Sequence, residues 1–528
     1  MEAENNTIKA EILWVDDEID LLEVQILFLK SKGYSVTKAY NGNDAVELTK
    51  NNNFDIIFLD ENMPGISGLE TLRRIKSIKS EIPVVMITKN EGEDIMDEAV
   101  GSKISDYLIK PVNPNQILLS IKKNVENRRL VNQKTSEEYQ SEFNKLGNEI
   151  TLISNFEGWT NIYKKLVEWE LKLAEINSPT MAEIFGYQKN EAGNAFCKYI
   201  TKNYEKWIAG NRENRPIMQH DVFKERILPL LDKGEKVFWI VIDNLRFDQW
   251  KALQPLIAQY FNIDSEEIIC SILPTATQYA RNAMFSGLTP LQIQRNFPHL
   301  WTDEDERHSK NECEEELVKS MLKRFNREIK FFYRKTFNNN DGQKINAFFP
   351  QINNNKLNIA VYNFVDTMSH ARTELPMMRE LADDESAYRA ITKTWFKHSA
   401  LFDLMRTLAQ SDYKIVFATD HGTVKVNNPI KVTGEKNITN NPRYKQGRDL
   451  QFNKKDVFCP NPQNIQLPTL NISSQFIFAT GKDFMAYPNK YNYYVKYFKD
   501  TFQHGGVSME EMLIPLVILS PKKTTSQP

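Results

Sequence analysis

The sequence predicts an α/β protein in three parts: a doubly wound α/β domain over residues 1–125, a helical bundle or linker over 126–225, and a larger α/β domain over 226–528. Three observations predict it. Short apolar strands alternate with amphipathic helical stretches through the first part. Charged, aromatic-rich segments of helical spacing follow, and a second series of apolar strands, each ending in acids or histidines, then begins at EKVFWIVIDNLRFDQW. Alternation of this kind marks a parallel sheet, and such sheets collect functional groups at the carboxyl ends of their strands.

Taken in order, AEILWVDDE is a strand ending in acids, and DLLEVQILFLKSKGYS is a helix closed by Gly33. The runs YSVTKAY, FDIIFLDENMPG, IPVVMIT and DYLIKPV supply four more strands, separated by helices near NDAVELTKN, GLETLRRIKS and EDIMDEAVGS. In the middle part SEEYQSEFNKLGNEITLI, WTNIYKKLVEWELKLAEI and AFCKYITKNYEKWIAG have helical spacing, punctuated by Pro179 and Pro216. Their Trp and Tyr residues read as core. The last part carries the strands KLNIAVYNFVDTMSH, YKIVFATDHG and MLIPLVIL, while the Asn-rich stretches near Asn338 and Asn353 read as loops.

Composition narrows the function classes. With 67 Lys and Arg against 69 Asp and Glu, the net charge is -2 over 528 residues, which argues against a general affinity for nucleic acid or anionic membrane. Cys197, Cys270, Cys313 and Cys459 form no close pair, so neither a zinc knuckle nor a disulfide framework is expected. No basic-then-apolar leader and no apolar run of membrane-spanning length is visible, and a cytoplasmic protein is expected.

In the first domain Asp16 and Asp17 follow the first strand, Asp60 the third, Thr88 ends the fourth and Lys110 the fifth. All converge on one sheet edge. Transfer of a phosphoryl group to a carboxylate needs a divalent cation, hard oxygen ligands and donors for the phosphoryl oxygens. Asp60 suits the acceptor, Asp16 and Asp17 the Mg²⁺ ligands beside it, and Thr88 and Lys110 the donors. The pattern VDDE, LDENMPGISG, ITK and YLIKPV resembles the response regulator receiver family. That resemblance implies phosphorylation at Asp60 by a cognate histidine kinase, puts Tyr107 at the switch aromatic, and implies a homodimer favoured by phosphorylation.

The last part holds a second constellation. Asp243 ends a strand, Thr277 lies where a helix can begin, and Asp366 and His370 are four apart. Asp420 and His421 end another strand, and His504 lies in FQHGG. A lone histidine is more often structural, yet three of only seven histidines fall in these motifs. Mixed His and carboxylate ligands suit zinc or manganese better than calcium, and two such ions would serve a phosphoryl displacement. Arg246 and Arg281, three and four residues past Asp243 and Thr277, are candidates to hold a phosphate oxygen. The basic segment KVNNPIKVTGEKNITNNPRYKQGRDLQFNKK, with Tyr444 and Phe452, is either a solvated insertion or a surface for an oligonucleotide.

The order Asp, PTxT, Asp-x₃-His, Asp-His-Gly, His-Gly resembles the alkaline phosphatase superfamily, notably its nucleotide phosphodiesterases and the PglZ branch. By that resemblance Asp366, His370 and His504 bind one zinc, and Asp243, Thr277, Asp420 and His421 the other. Thr277 is the nucleophile in preference to Thr275, because the family uses the second Thr of PTxT. A receiver, a helical segment and a PglZ domain together are similar to the PorX-like response regulators. This similarity implies an extracytoplasmic-function sigma factor or a type IX secretion component as partner. Two outputs stand open: a zinc-dependent phosphodiesterase, and a phosphorylation-switched scaffold in which zinc is structural. A DNA-binding output is disfavoured, since no compact helix–turn–helix with a basic recognition helix follows the first domain.

Overall fold

The computed structural model describes residues 9–89, 104–176, 178–210, 214–301, 311–381, 384–434, 439–469, 471 and 473–522. The expected helix at EDIMDEAVGS lies outside these residues. Two compact units divide between Ser141 and Glu142, inside one helix, Asn127–Leu152. Among the described residues no helix is long and apolar enough to cross a membrane.

The first unit holds β1 (Glu11–Val15), β2 (Ser35–Ala39), β3 (Ile56–Asp60), β4 (Val84–Thr88) and β5 (Asp106–Ile109), all parallel in the order β2-β1-β3-β4-β5. The inner strands β3 and β4 are buried throughout, as strands covered on both faces must be. Helices Glu23–Ser31, Gly42–Asn51, Gly68–Ile78 and Pro114–Ile121 connect or flank the strands. Two apolar clusters, one around Trp14 and Phe58 and one around Leu59 and Met86, form the core. Sheet order and alternation match the doubly wound fold read from the sequence.

The second unit is built on β6 (Lys236–Ile242), β7 (Phe261–Cys270), β8 (Phe331–Thr336), β9 (Leu357–Tyr362) and β10 (Tyr413–Ala418). Small pairings follow among β11 (Val424–Lys425), β12 (Asn428–Lys431), β13 (Tyr444–Gly447), β14 (Val457–Phe458), β15 (Gln475–Ala479), β16 (Asp483–Ala486) and β17 (Phe502–Gln503). The last strand is β18 (Leu513–Pro521), and the main sheet runs β7-β18-β10-β6-β9-β8. Strands β10, β6, β9 and β8 are mutually parallel, whereas β18 runs antiparallel to both β10 and β7. The carboxyl ends of β6, β9 and β10 therefore open side by side.

Helices Phe156–Ile176 and Pro179–Ile208 belong to this second unit. Their Trp159, Tyr163, Tyr204 and Trp207 are buried, as core residues should be. Polar contacts weld these helices to the sheet domain: Lys189 reaches Glu385 and Glu510, Cys197 Sγ donates to Val507 O, and Tyr204 Oη accepts from Leu273 N at 2.7 Å.

Two loop expectations are corrected. Asn338 and Asn353 cap the two ends of a helix, Asn339–Ile352, and the Asn338 side chain accepts from Asp341 N at 3.0 Å. The side chain satisfies an otherwise orphaned amide, so the Asn run starts a helix instead of avoiding one. The basic segment 425–455 is not a loop throughout: it contributes to β11, β12 and β13, Tyr444 is 1% exposed and Phe452 packs on an apolar cluster, while Lys431, Arg448, Lys454 and Lys455 are exposed. Its alternation is interrupted by Asn, Pro and Gly, which hid the short strands.

Candidate functional site

At the edge of the first unit, Asp16 and Asp60 are buried at the ends of β1 and β3 and Asp17 is exposed beside them. One carboxylate oxygen from each of the three lies within 4.8 Å of the others. Lys110 Nζ bridges Asp16 at 2.8 Å and Asp60 at 2.9 Å. Burial pushes the Asp60 carboxyl above its ordinary pKa, against the pull of Lys110. A cluster of hard carboxylate oxygens fits a divalent cation such as magnesium. Thr88 is buried at the end of β4, and Tyr107 is half-buried on β5 against the Leu59–Met86 cluster.

In the second unit Asp243 follows β6, the helix Phe364–Glu374 that follows β9 carries Asp366 and His370, and Asp420 and His421 follow β10. Their donor atoms form two triads, Asp243–Asp420–His421 and Asp366–His370–His504, each closed within 4.8 Å. Thr277 opens the helix Thr277–Ser286, with its Oγ1 3.3 Å from Asp243 Oδ1 and 3.1 Å from His421 Nε2. The triads adjoin, since the His504 ring stacks on that of His421 with centroids 4.3 Å apart.

The donor set fits metal ions. His421 Nδ1 faces Gly422 O and His504 Nδ1 faces Thr275 O, both at 3.1 Å. A carbonyl only accepts, so each Nδ1 carries the proton and each Nε2 is left as a ligand. Asp420 Oδ2 is fully buried with no hydrogen-bond partner. Burial, then the neighbouring Asp243, pushes Asp420 well above the usual carboxylate range, and the same causes push Asp366 to about 6. Burial, then His421 and His370, holds His504 well below the usual imidazole value. A divalent cation would relieve both kinds of frustration.

A third acidic group, Glu170–Asp248–Glu385, is also close enough to hold an ion, but its charge is already met. Lys189 pairs with Glu170 and Glu385, Arg246 with Asp248 and Glu385, and Arg389 with Glu170 and Asp248, all between 2.6 and 3.0 Å. This corrects the reading of Arg246 as a phosphate ligand. Its backbone is extended just before the helix Phe247–Ile257, and the side chain turns into this buried network. Arg281 is likewise committed: it holds Asp243 at 2.7 Å, Glu314 at 2.5 Å and Asn363 at 3.2 Å. Its position one turn past Thr277 brings it to the site, but as a clamp on Asp243.

Several functional neighbours escaped the sequence reading. Asn244 joins the triads, its amide donating to Asp420 Oδ1 at 3.1 Å and its side chain to Asp366 Oδ1 at 3.2 Å. Its φ of 63° is left-handed, a conformation that Asn tolerates better than most residues. Gln219 ties the two halves of the site by donating to Asp420 O and accepting from Ile272 N at 2.7 Å. Thr275 is buried, donates to Gly506 O at 2.9 Å and accepts from Gly505 N at 3.0 Å, so it serves the turn that bears His504. At Gly422 a Cβ would run into Glu510 O, which explains the glycine after Asp420 and His421.

Comparison with known proteins agrees with this division. The chain matches the response regulator receiver domain over 12–122, the PorX response regulator linker domain over 129–208, and the BREX system PglZ alkaline phosphatase-like domain over 222–519. Curated relatives include the transcriptional regulatory protein ZraR of Klebsiella oxytoca, 32% identical over 28% of this chain and 35% of that protein. Another is the uncharacterized transcriptional regulatory protein YkoG of Bacillus subtilis, 35% identical over 22% of this chain and 50% of that protein. The chain thus spans between about a third and a half of the length of the curated relatives it matches. Similar solved structures include a CheY-like receiver protein from Methanospirillum hungatei, 25% identical, covering 22% of this chain and 94% of that one with a TM-score of 0.22. A receiver domain protein from Clostridium thermocellum is 29% identical, covering 23% and 98%, also at 0.22. The chain belongs to the PglZ alkaline phosphatase-like family, as a response regulator in which a receiver domain and a PorX-type linker precede the PglZ domain.

Proposed function

We propose that the PglZ domain is a two-zinc phosphodiesterase governed by phosphorylation of Asp60. The observation that carries this reading is the Thr277 hydroxyl, set beside two adjoining triads of which one holds an unsatisfied buried carboxylate oxygen. Asp366, His370 and His504 would hold one ion, and Asp243, Asp420, His421 and Thr277 the other. Bound there, two such ions acidify a hydroxyl and neutralise phosphoryl oxygens.

The protein's own part is orientation. Arg281 and Asn244 fix the carboxylates, and carbonyls of Gly422 and Thr275 fix the imidazoles. Thr277 Oγ1 loses its proton to solvent and bonds to phosphorus as the bond to the leaving alkoxide breaks and that alkoxide takes up a proton. Water then attacks phosphorus, the Oγ1–P bond breaks, and free Thr277 and a phosphate monoester result. A diester suits the site better than a monoester. It carries less negative charge, and both Arg246 and Arg281 are already spent on carboxylates. An oligonucleotide is a second test substrate, with Lys431, Arg448, Lys454 and Lys455 exposed on segment 425–455.

The test is hydrolysis of bis(p-nitrophenyl) phosphate by the full chain loaded with zinc. Thr277→Val is expected to lower turnover by about a thousandfold or more, a loss of at least ~4 kcal/mol of transition-state stabilisation. Equal turnover by the two proteins sinks the assignment. A phosphoryl mimic on the receiver is expected to change the rate in wild type and leave Asp60→Ala unmoved.

A second output is proposed from the resemblance to PorX-like response regulators: association with a type IX secretion component or sigma factor in the cytoplasm, joined to control by a histidine kinase acting on the receiver. In that case Thr277→Val leaves secretion intact while Asp60→Ala abolishes it. Receiver dimerisation through the face of Tyr107 belongs to the same proposal, and light scattering with a phosphoryl mimic measures it.

A further inference from the structure

We infer that Glu511, gripped by Arg443, is a positioning residue that sets His504 against the Thr275–Thr277 segment; this rests on the two-metal reading above. Glu511 lies in the short helix Met509–Met512 ahead of β18, and Arg443 lies just before β13, 68 residues away. Both side chains are fully buried. The pair is bidentate: Arg443 Nη2 donates to Oε2 at 2.6 Å and Nε to Oε1 at 3.2 Å.

The remaining donors to Glu511 identify its task. Gly506 N donates to Oε1 at 2.9 Å and Ser508 Oγ to Oε2 at 2.7 Å, while Thr275 Oγ1 stands 3.4 Å from Oε1. Gly506 ends the turn that carries His504, and Thr275 receives the His504 Nδ1 proton on its carbonyl. One carboxylate thereby joins the histidine of one triad to the segment that ends at the candidate nucleophile. A buried ion pair adds little net stability over a well-packed apolar pair. What this one supplies is a fixed geometry for both donors, in the way outer partners orient a metal ligand.

The glycines confirm how tightly the turn is pressed here. A Cβ at Gly505, whose φ is 124°, would fall 2.6 Å from Tyr444 Cδ1, and one at Gly506 would fall 2.9 Å from Arg443 Nη2. Tyr444 Oη in turn accepts from Gln278 Nε2 at 2.9 Å, next to Thr277. The segment around Arg443 thus touches the His504 turn on one side and the Thr277 helix on the other.

The test is zinc competition titration of the full chain against a chromogenic chelator. Glu511→Gln preserves volume and one acceptor oxygen and removes the charge. It is expected to weaken the Asp366–His370–His504 ion about tenfold or more and to spare the other. In a His421→Ala background, where that triad is the intact one, the weakening persists; in a His370→Ala background it disappears. The double variant Glu511→Met with Arg443→Met, which leaves no unpaired charge, is expected to fold and still show the loss. Turnover should fall through kcat with KM little changed. Unaltered zinc affinity in either Glu511 variant overturns the inference while leaving the two-metal reading in place. A wild-type chain that binds no zinc overturns both.

Discussion

Replacing Lys189 by Met removes the hub of the buried charge network at the join between the helices and the sheet domain. Its ammonium lies 2.8 Å from Glu170, 2.9 Å from Glu385 and 3.3 Å from Glu510, with the Lys189 side chain only 9% exposed. Burial alone would raise the Glu385 carboxyl, yet Lys189 and Arg246 hold it well below its ordinary value. Without Lys189, the four carboxylates of Glu170, Asp248, Glu385 and Glu510 are left with Arg246 and Arg389 as the remaining cations of this network. Removing one partner of a buried pair costs about 3–5 kcal/mol, because the other charges are stranded. With a urea slope of at least about 3 kcal/mol/M for a unit this large, the midpoint should fall by roughly 1 M. Seven of the eight tryptophans lie in the second unit, so tryptophan fluorescence during urea unfolding follows that unit. A loss under about 1 kcal/mol would refute the reasoning, since it would mean that water already screens the network.

Two further outcomes concern pH. Burial lowers His220 to about 4, so the unfolded chain takes up that proton first and stability drains away as pH falls from about 6.5 to about 4, by up to ~3 kcal/mol. His220→Gln should flatten that limb in urea titrations at a series of pH values. Lys445, buried with Thr439 O at 2.7 Å and the Tyr487 ring against its ammonium, is lowered to about 7 by burial. Its penalty falls on the charged form, so stability should rise as pH climbs from about 7 toward 10, and Lys445→Met should stabilise the protein most below pH 7.

The reactive groups were legible because each sits where a strand stops. Asp60, Asp243 and Asp420 are polar residues that end apolar runs, and a parallel sheet brings such ends together whatever the order of its strands. Asp366 and His370 were legible through their four-residue spacing, which the helix Phe364–Glu374 realises. What holds these groups was hidden. Glu511 and Arg443 are 68 residues apart, and Lys189 and Glu385 are 196 apart. No local period or motif announces such pairings, which exist only once the chain has folded. Arg246 misled for the opposite reason: closeness in sequence to Asp243 said nothing of the direction its side chain takes.

The helices Phe156–Ile176 and Pro179–Ile208 have one more consequence. The PglZ family match begins at residue 222, yet Lys189, Cys197 and Tyr204 all lie before it and grip Glu510, Val507 and Leu273. Those three positions flank the turns that carry His421, His504 and Thr277. A PglZ domain transplanted from this chain at its family boundary would leave these three braces behind. The stretch from about residue 142 onward is one compact unit, and a cut at residue 222 would pass through it.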